Sequence, residues 1–298
     1  MGANGQTRGL HQPPQTQLTL DWSEGELAAL ETVEDFLPEQ VREGTVLRAT
    51  DIHKRFGGVY ALQGASIEVP AHSFVGLIGP NGSGKSTLFD VLNGFTPPDQ
   101  GTVEAFGLDV TRKHAWDRAK LGMSRTFQAN HIDLDLSVLD NLLAGAYLNV
   151  RGGVVASVLA FPAVRADQRR AAEVARAVAR LLDLEPVLDV RAGSLNFGAQ
   201  RRIEIGRSLM SRPRLLLLDE PSAGMDAVEA QHLLMLVKRL QTDLGLAVLL
   251  IEHFVRMVLD NCGWVHAIAG GQLIAAGPPE VVAASEAVQI AYLGVPGA

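Results

Sequence analysis

A glycine-rich segment around residue 80 carries the clearest chemistry in this sequence. It matches the pattern G-x-x-x-x-G-K-[ST] and consists of Gly79, Pro80, Asn81, Gly82, Ser83, Gly84, Lys85, Ser86 and Thr87. Glycines allow the backbone to wrap closely around an anion, and the N-terminus of a following helix adds partial positive charge. Lys85 would supply a full charge to the β- and γ-phosphates of ATP, and Ser86 would offer its hydroxyl to Mg²⁺. We therefore interpret the segment as a phosphate-binding loop and not as a chance glycine-rich turn.

Two acidic residues and one histidine follow apolar runs later in the chain. Asp219 and Glu220 come directly after residues 215–218, and His253 comes shortly after residues 247–251. Each run predicts a buried strand, and parallel sheets bind ligands at the carboxyl ends of their strands. We predict that Asp219 holds Mg²⁺, that Glu220 orients the attacking water, and that His253 points toward the same γ-phosphate. The alternative is structural, because adjacent acids can cap a turn and a lone histidine after a strand usually packs.

The elements that must position these residues alternate between short apolar strands and helical segments from residue 46 onward. This alternation predicts an α/β domain with a largely parallel sheet over residues 46–298. A strand over residues 74–78 leads into the phosphate-binding loop, and a helix follows the loop. Longer helices are predicted over residues 166–184 and 227–244.

The chain before residue 46 differs in composition. Residues 1–20 are rich in Gln, Gly, Pro and Thr, which predicts a flexible segment. Residues 21–43 carry apolar side chains at helical spacing with acidic residues between them, which predicts a short amphipathic helix. This helix could pack on its own domain or dock on another subunit. We accordingly predict an N-terminal extension over residues 1–45.

Composition limits the classes of function. The chain has 298 residues and a formal net charge of −7, which argues against broad binding to nucleic acid. A single cysteine, Cys262, rules out an intrachain disulfide and fits a reducing compartment. No secretory signal is evident, and the most apolar stretch, residues 153–164, falls short of the roughly 20 residues that a spanning helix needs. We expect any link to a membrane to run through partner proteins.

The order of these motifs and the residues within them resemble those of the nucleotide-binding subunits of ATP-binding cassette (ABC) transporters over roughly residues 46–293. The resemblance implies a P-loop NTPase (RecA-like) core with a mostly parallel sheet, an antiparallel β subdomain and an inserted α-helical subdomain at about residues 129–212. It also implies ATP hydrolysis coupled to transmembrane transport, with ATP and Mg²⁺ bound at the loop. The subunit would lie peripherally on the cytoplasmic face of the cell membrane.

The resemblance assigns roles to further residues. Gln128, which ends the stretch Arg-Thr-Phe-Gln, would sense the γ-phosphate, join the Mg²⁺ site and face the membrane partner. Asp226 falls at the D-loop aspartate of the family. Phe56 matches the aromatic residue on which adenine stacks, with Tyr60 as a nearby competitor and core packing as the alternative for both.

Residues 195–200 read Leu-Asn-Phe-Gly-Ala-Gln and stand where the family has its signature, usually Leu-Ser-Gly-Gly-Gln. The resemblance implies that Asn196 and Gly198 would contact ATP bound by a partner subunit, because the signature of one subunit completes the site of the other. Asn196 replaces the signature serine and Ala199 replaces the glutamine. These departures put the site of the partner in doubt.

Shorter matches point to a subfamily. Two short segments resemble the ATPases of branched-chain amino-acid, amide and urea importers. They are Ile-Glu-His at residues 251–253 and Ala-Tyr-Leu-Gly at residues 291–294. The insertion over residues 148–165 resembles the longer of two paired ATPases. The implied partners are a second ATPase subunit, transmembrane permeases and, indirectly, a solute-binding protein. A homodimer, a lipid exporter of the lipopolysaccharide type and a non-transport ABC ATPase stay open as alternatives.

Overall fold

The computed structural model describes residues 22–41, 43–126, 132–146 and 162–293. The segment predicted to be flexible, Gln128 and most of the insertion over residues 148–165 lie outside these ranges. Within these ranges, no helix is both long and apolar enough to cross a membrane.

The described ranges contain strands and α-helices in the following order along the chain. The strands are β1 (Thr45–Phe56), β2 (Val59–Pro70), β3 (Phe74–Ile78), β4 (Gln100–Ala105), β5 (Leu108–Asp109), β6 (Met123–Arg125), β7 (Leu215–Asp219), β8 (Ala247–Ile251), β9 (Trp264–Ala269) and β10 (Gln272–Gly277). The helices are α1 (Glu24–Phe36), α2 (Lys85–Asn93), α3 (Ala115–Lys120), α4 (Val138–Gly145), α5 (Pro162–Leu181), α6 (Phe197–Met210), α7 (Ala227–Asp243), α8 (Val255–Asn261), α9 (Pro279–Ala283) and α10 (Glu286–Leu293).

The central sheet has six strands in the order β10-β9-β3-β8-β7-β6. All neighbouring strands are parallel except β9 and β10, which are antiparallel. Every residue of β3, β7 and β8 is buried, because helices or the second sheet cover both faces of these strands. The predicted parallel core is therefore confirmed. Its order brings the carboxyl ends of β3, β8, β7 and β6 to one edge.

A second sheet is antiparallel, with the strand order β2-β1-β4-β5. Its inner residues, such as Leu47 and Ile52, share one hydrophobic core with Leu88 and Phe89 of α2 and with Leu77 of β3. Helix α2 is thus enclosed between the two sheets. The antiparallel β subdomain that the family resemblance implied is present.

Helices α4, α5 and α6 lie in the chain between β6 and β7 and pack against one another. Leu142, Val178 and Ile203, one from each helix, are all buried in a shared core. Gly206 allows the close approach, because a Cβ at this position would lie 2.6 Å from Leu142 Cδ2. This helical layer matches the inserted α-helical subdomain, while the limits of residues 129–212 stay a prediction.

Helix α1 is shorter than the predicted span of residues 21–43. It begins after Ser23, which forms a capping box with Glu26. It ends before Leu37, which is extended as expected for a residue preceding proline. The helix packs on its own domain, the first of the two alternatives, with Val33 and Phe36 buried in the same core as α5.

Side chains on both sides of α1 hold it in place. Arg180 of α5 donates to the Gly25 carbonyl oxygen, and Trp22 Nε1 donates to an Asp243 carboxylate oxygen of α7 at 2.6 Å. The Arg239 guanidinium of α7 stacks 3.4 Å from the centroid of the Trp22 ring. Residues 22–37 therefore contact both α5 of the helical layer and α7.

A chain that lacks residues 1–43 is expected to bind ATP but to unfold at a lower temperature. Burial of each large apolar side chain of α1 contributes about 1.5–3 kcal/mol, and their loss would lower Tm by about 5–15 °C. Thermal unfolding and a nucleotide titration measure the two quantities. Deletion of residues 1–21 alone is the control, because it keeps the contacts of α1. Equal Tm values for the two truncated chains would contradict the packing role of α1.

Candidate active site

The phosphate-binding loop connects the end of β3 to the start of α2, in the strand–loop–helix order that the sequence predicted. Gly84 is the N-cap of α2, and its φ of +104° is a conformation that residues with a side chain rarely adopt. A Cβ at Gly84 would lie 2.5 Å from the Ala61 carbonyl oxygen, and one at Gly79 would lie 2.2 Å from the Ile268 carbonyl oxygen. Close packing against β2 and β9 therefore requires glycine at both positions.

The Lys85 side chain is held inside the loop. The residue is 5% exposed, and its Nζ donates to the carbonyl oxygens of Gly79 and Pro80 at 2.7 and 3.0 Å. Burial lowers the pKa of Lys85, while the charges of Glu220 and Asp219 oppose that shift. A bound phosphate would favour the charged ammonium in the same way. Ser86 and Thr87 lie in the first turn of α2, and Ser86 is exposed.

Glu220 and His253 lie side by side, because β7 and β8 are neighbours and each residue follows the end of its strand. His253 Nε2 is 2.8 Å from Glu220 Oε1. The Glu220 backbone has a φ of +48° and its N–H donates to the Ile251 carbonyl oxygen. A positive φ at a residue with a long side chain is strained, and such strain is concentrated at functional sites. The structure thus pairs two residues that the sequence placed 33 positions apart.

Asp219 lies at the end of β7 and is 1% exposed. Its Oδ2 accepts a hydrogen bond from Arg125 Nη2 at 2.7 Å. Its Oδ1 is buried and has no hydrogen-bond partner among the described residues. A buried carboxylate oxygen without a partner is costly, and carboxylate oxygen is a preferred ligand of Mg²⁺. The chemistry of Asp219 therefore fits the metal role that the sequence predicted.

Two buried charged residues of this site were not predicted from the sequence. Arg125 links Asp219 to Asp90 of α2, to which its Nη1 donates at 2.6 Å. The Glu252 carboxylate accepts from the Ser222 backbone N–H at 2.9 Å, and burial raises the pKa of Glu252. The only sequence signal for either residue is a charged side chain at a strand end, beside an already identified motif.

The two candidate adenine-stacking residues are both exposed. Phe56 is 52% exposed and Tyr60 is 58% exposed, so core packing is excluded for each. Lys54 Nζ lies 5.5 Å from the centroid of the Phe56 ring, and the Arg55 guanidinium lies 5.4 Å from that of Tyr60. The hairpin that carries them continues into Ala61, whose backbone carbonyl oxygen lies against Gly84 of the loop. Phe56 as the stacking residue stays a prediction.

Two other predicted residues cap helices. Asn196 is the N-cap of α6, and its Oδ1 accepts from the Ala199 N–H at 2.8 Å. Asp226 is the N-cap of α7, with Oδ1 accepting from the N–H groups of Val228 and Glu229. Asparagine and aspartate are both favoured at such positions. In the cap of α6, the Asn196 side chain accepts through its amide oxygen, and its amide nitrogen takes no part in the cap.

Comparisons with known proteins all find ATP-binding proteins of ABC transporters. A family model described as "ABC transporter" matches residues 62–223. The chain is 34% identical over 249 residues to the high-affinity branched-chain amino acid transport ATP-binding protein BraF of Pseudomonas aeruginosa, covering 84% of this chain and 98% of BraF. It is 33% identical over 253 residues to the lipopolysaccharide export system ATP-binding protein LptB of Haemophilus influenzae, covering 84% of this chain and 98% of LptB.

A solved structure extends this similarity to the fold. It is described as the ADP conformation of an ATP-binding cassette of an ABC transporter, and it is 32% identical to this chain. The superposition has a TM-score of 0.73 and covers 85% of this chain and all of the other.

Proposed function

This chain belongs to the ABC transporter family of ATP-binding proteins, and from that premise we propose that it powers the import of a small polar solute. A branched-chain amino acid or an amide is the proposed solute class, and membrane permeases are the proposed path. The observation that carries the importer assignment is the similarity to BraF, which extends over 98% of that protein. The chain itself is an ATPase of this family.

Different residues of the chain would carry the separate steps of the proposed reaction. The loop from Gly79 to Thr87 and the Lys85 ammonium bind the phosphates of ATP. Ser86 and Asp219, together with Gln128, would hold Mg²⁺, which neutralises phosphate charge when it is bound. Glu220 polarises the attacking water, and His253 holds the Glu220 carboxylate in position and faces the γ-phosphate. The 2.8 Å contact between the last two residues supports this division.

A second ATPase subunit would complete the two ATP sites in a head-to-tail dimer. Each ATP would lie between the loop of one subunit and the signature of the other, and binding would close the dimer until hydrolysis releases it. The Asn196 oxygen caps α6, so the amide NH₂ of Asn196 would be the group that donates to the γ-phosphate. Ala199 offers no side-chain hydrogen bond. We therefore propose two unequal sites, with faster hydrolysis at the one built on Lys85 and Glu220.

The permeases would dock in a cleft of about 460 Å³ next to the end of β6. Phe95 and Trp116 flank it and are 53% and 52% exposed. Helices α3, α4 and α6 supply further lining residues, among them Gly145 and Glu204. Exposed aromatic side chains are enriched at the anchoring points of protein interfaces. Such partners would keep the subunit peripheral, at the cytoplasmic face of the membrane.

Lipopolysaccharide-type export is the alternative that a specific observation favours, namely the similarity to LptB.

Transport by the native complex separates the two functions. A tagged chain is purified with its membrane partners and placed in proteoliposomes with ATP inside and radiolabelled leucine, valine, acetamide or urea outside. Uptake that requires both ATP and a solute-binding protein is expected, and a complex with Glu220→Gln is the control. ATP-dependent extraction of lipopolysaccharide without solute uptake would overturn the importer assignment.

A further inference from the structure

Arg125 lies at the junction of three elements around the proposed metal ligand. It is the last residue of β6 and pairs in parallel register with Leu217, so its side chain reaches the end of β7. Its guanidinium is 7% exposed and bridges two carboxylates, Asp219 Oδ2 at 2.7 Å and Asp90 Oδ1 at 2.6 Å. The second carboxylate belongs to α2, the helix that the phosphate-binding loop opens.

Among the described residues, the rings of Phe89 and Phe95 lie next to this guanidinium and limit its movement. Its central carbon lies 5.4 Å from the centroid of the Phe89 ring and 5.7 Å from that of Phe95. A planar guanidinium that forms two charge-assisted hydrogen bonds and contacts aromatic rings is fixed in orientation, which a lysine ammonium would not be. The hydrogen bond to Oδ2 in turn restrains the orientation of the Asp219 carboxylate.

Neighbouring atoms reinforce this arrangement. The Asp219 backbone N–H donates to Thr126 Oγ1 at 3.4 Å, so residues 125 and 126 hold both the side chain and the backbone of Asp219. Only Oδ1 of the buried carboxylate lacks a hydrogen-bond partner among the described residues. The arginine therefore occupies one oxygen and leaves the other for a ligand.

We propose that Arg125 is a positioning residue that orients the Asp219 carboxylate so that Oδ1 meets Mg²⁺. The proposal rests on the metal role given to Asp219 under the proposed function. Groups that orient a metal ligand change metal affinity by about 10- to 100-fold when they are removed. Arg125 would thus set how strongly Mg²⁺ increases the affinity for ATP, while ATP binding without Mg²⁺ would depend on the loop and Lys85.

The test uses the full chain and a non-hydrolysable β,γ-imido analogue of ATP. Its affinity is measured with Mg²⁺ and with EDTA, and the ratio of the two values is compared between variants. Arg125→Gln, which keeps a hydrogen-bond donor, and Arg125→Lys, which keeps the charge, should each reduce the ratio about tenfold or more. The affinity in EDTA should change less than threefold.

Arg118→Lys is the matched control. Arg118 is fully buried and donates to the Val91 and Leu92 carbonyl oxygens at the end of α2, without contacting Asp219. Its substitution should lower Tm and leave the Mg²⁺ ratio unchanged. A purely structural Arg125 would change the affinities with Mg²⁺ and with EDTA by the same factor, and that outcome would overturn the proposal.

Two further outcomes separate this inference from the proposed function. A larger Mg²⁺ ratio in Arg125→Gln would identify Arg125 as a competitor of the cation and reject the positioning role. Failure of Mg²⁺ to increase affinity in the unmodified chain, together with an unchanged affinity in Asp219→Asn, would instead reject the metal role of Asp219.

Discussion

Lys85→Ala is expected to weaken ATP binding by about a hundredfold or more and to leave the fold intact. The Lys85 ammonium is the full positive charge of the loop, and each charge-assisted hydrogen bond to a phosphate contributes roughly 1.5–3 kcal/mol. The loop carbonyls at 2.7 and 3.0 Å already hold this ammonium in position, so little ordering is needed when ATP binds. A nucleotide titration by calorimetry measures the loss.

Lys120→Ala is the control for this experiment, because it removes a charge of the same sign from the exposed end of α3. It should bind ATP as tightly as the unmodified chain. Thermal unfolding confirms that both variants fold. ATP affinity within threefold of normal in a folded Lys85→Ala variant would refute the phosphate-binding role of the loop.

Glu220→Gln is expected to keep ATP binding and to slow hydrolysis by about 10²- to 10⁴-fold. The amide keeps the size of the side chain and can still form a hydrogen bond with His253, but it lacks the negative charge that would polarise water in the proposed reaction. Since the γ-phosphate then persists, the variant should also accumulate as a closed dimer. ATP turnover in the assembled complex and size-exclusion chromatography with ATP measure the two effects.

The same substitution also tests the proposed inequality of the two sites. Glu220→Gln should reduce turnover of the complex more than the equivalent change in the second ATPase does, because in the proposed dimer the site of the partner would face Asn196 and Ala199. A greater loss from the change in the partner would contradict the inequality. Near-normal turnover after Glu220→Gln would show that another group activates water.

The amino-acid sequence by itself determined the features that depend on contiguous residues. The phosphate-binding loop is read from nine successive positions, because its function requires a strand, a glycine turn and a helix in immediate succession. The apolar runs before Asp219 and His253 predicted buried strands with functional residues at their ends, because strands covered on both faces must be apolar throughout. The antiparallel and helical subdomains followed from the family resemblance.

The tertiary structure alone decided which distant residues meet. Arg125 and Asp219 are 94 positions apart and His253 lies far from Glu220 in the chain, yet each pair forms a direct contact. These contacts depend on the strand order β3-β8-β7-β6, which is set by how the crossover connections pack and is not encoded in any local pattern. The same holds for α1. Its apolar spacing predicted a helix, but only the tertiary structure shows that the helix packs on α5 of its own domain. Burial against a specific neighbour is a property of the folded chain, because the free energy gained depends on the shape and polarity of both surfaces.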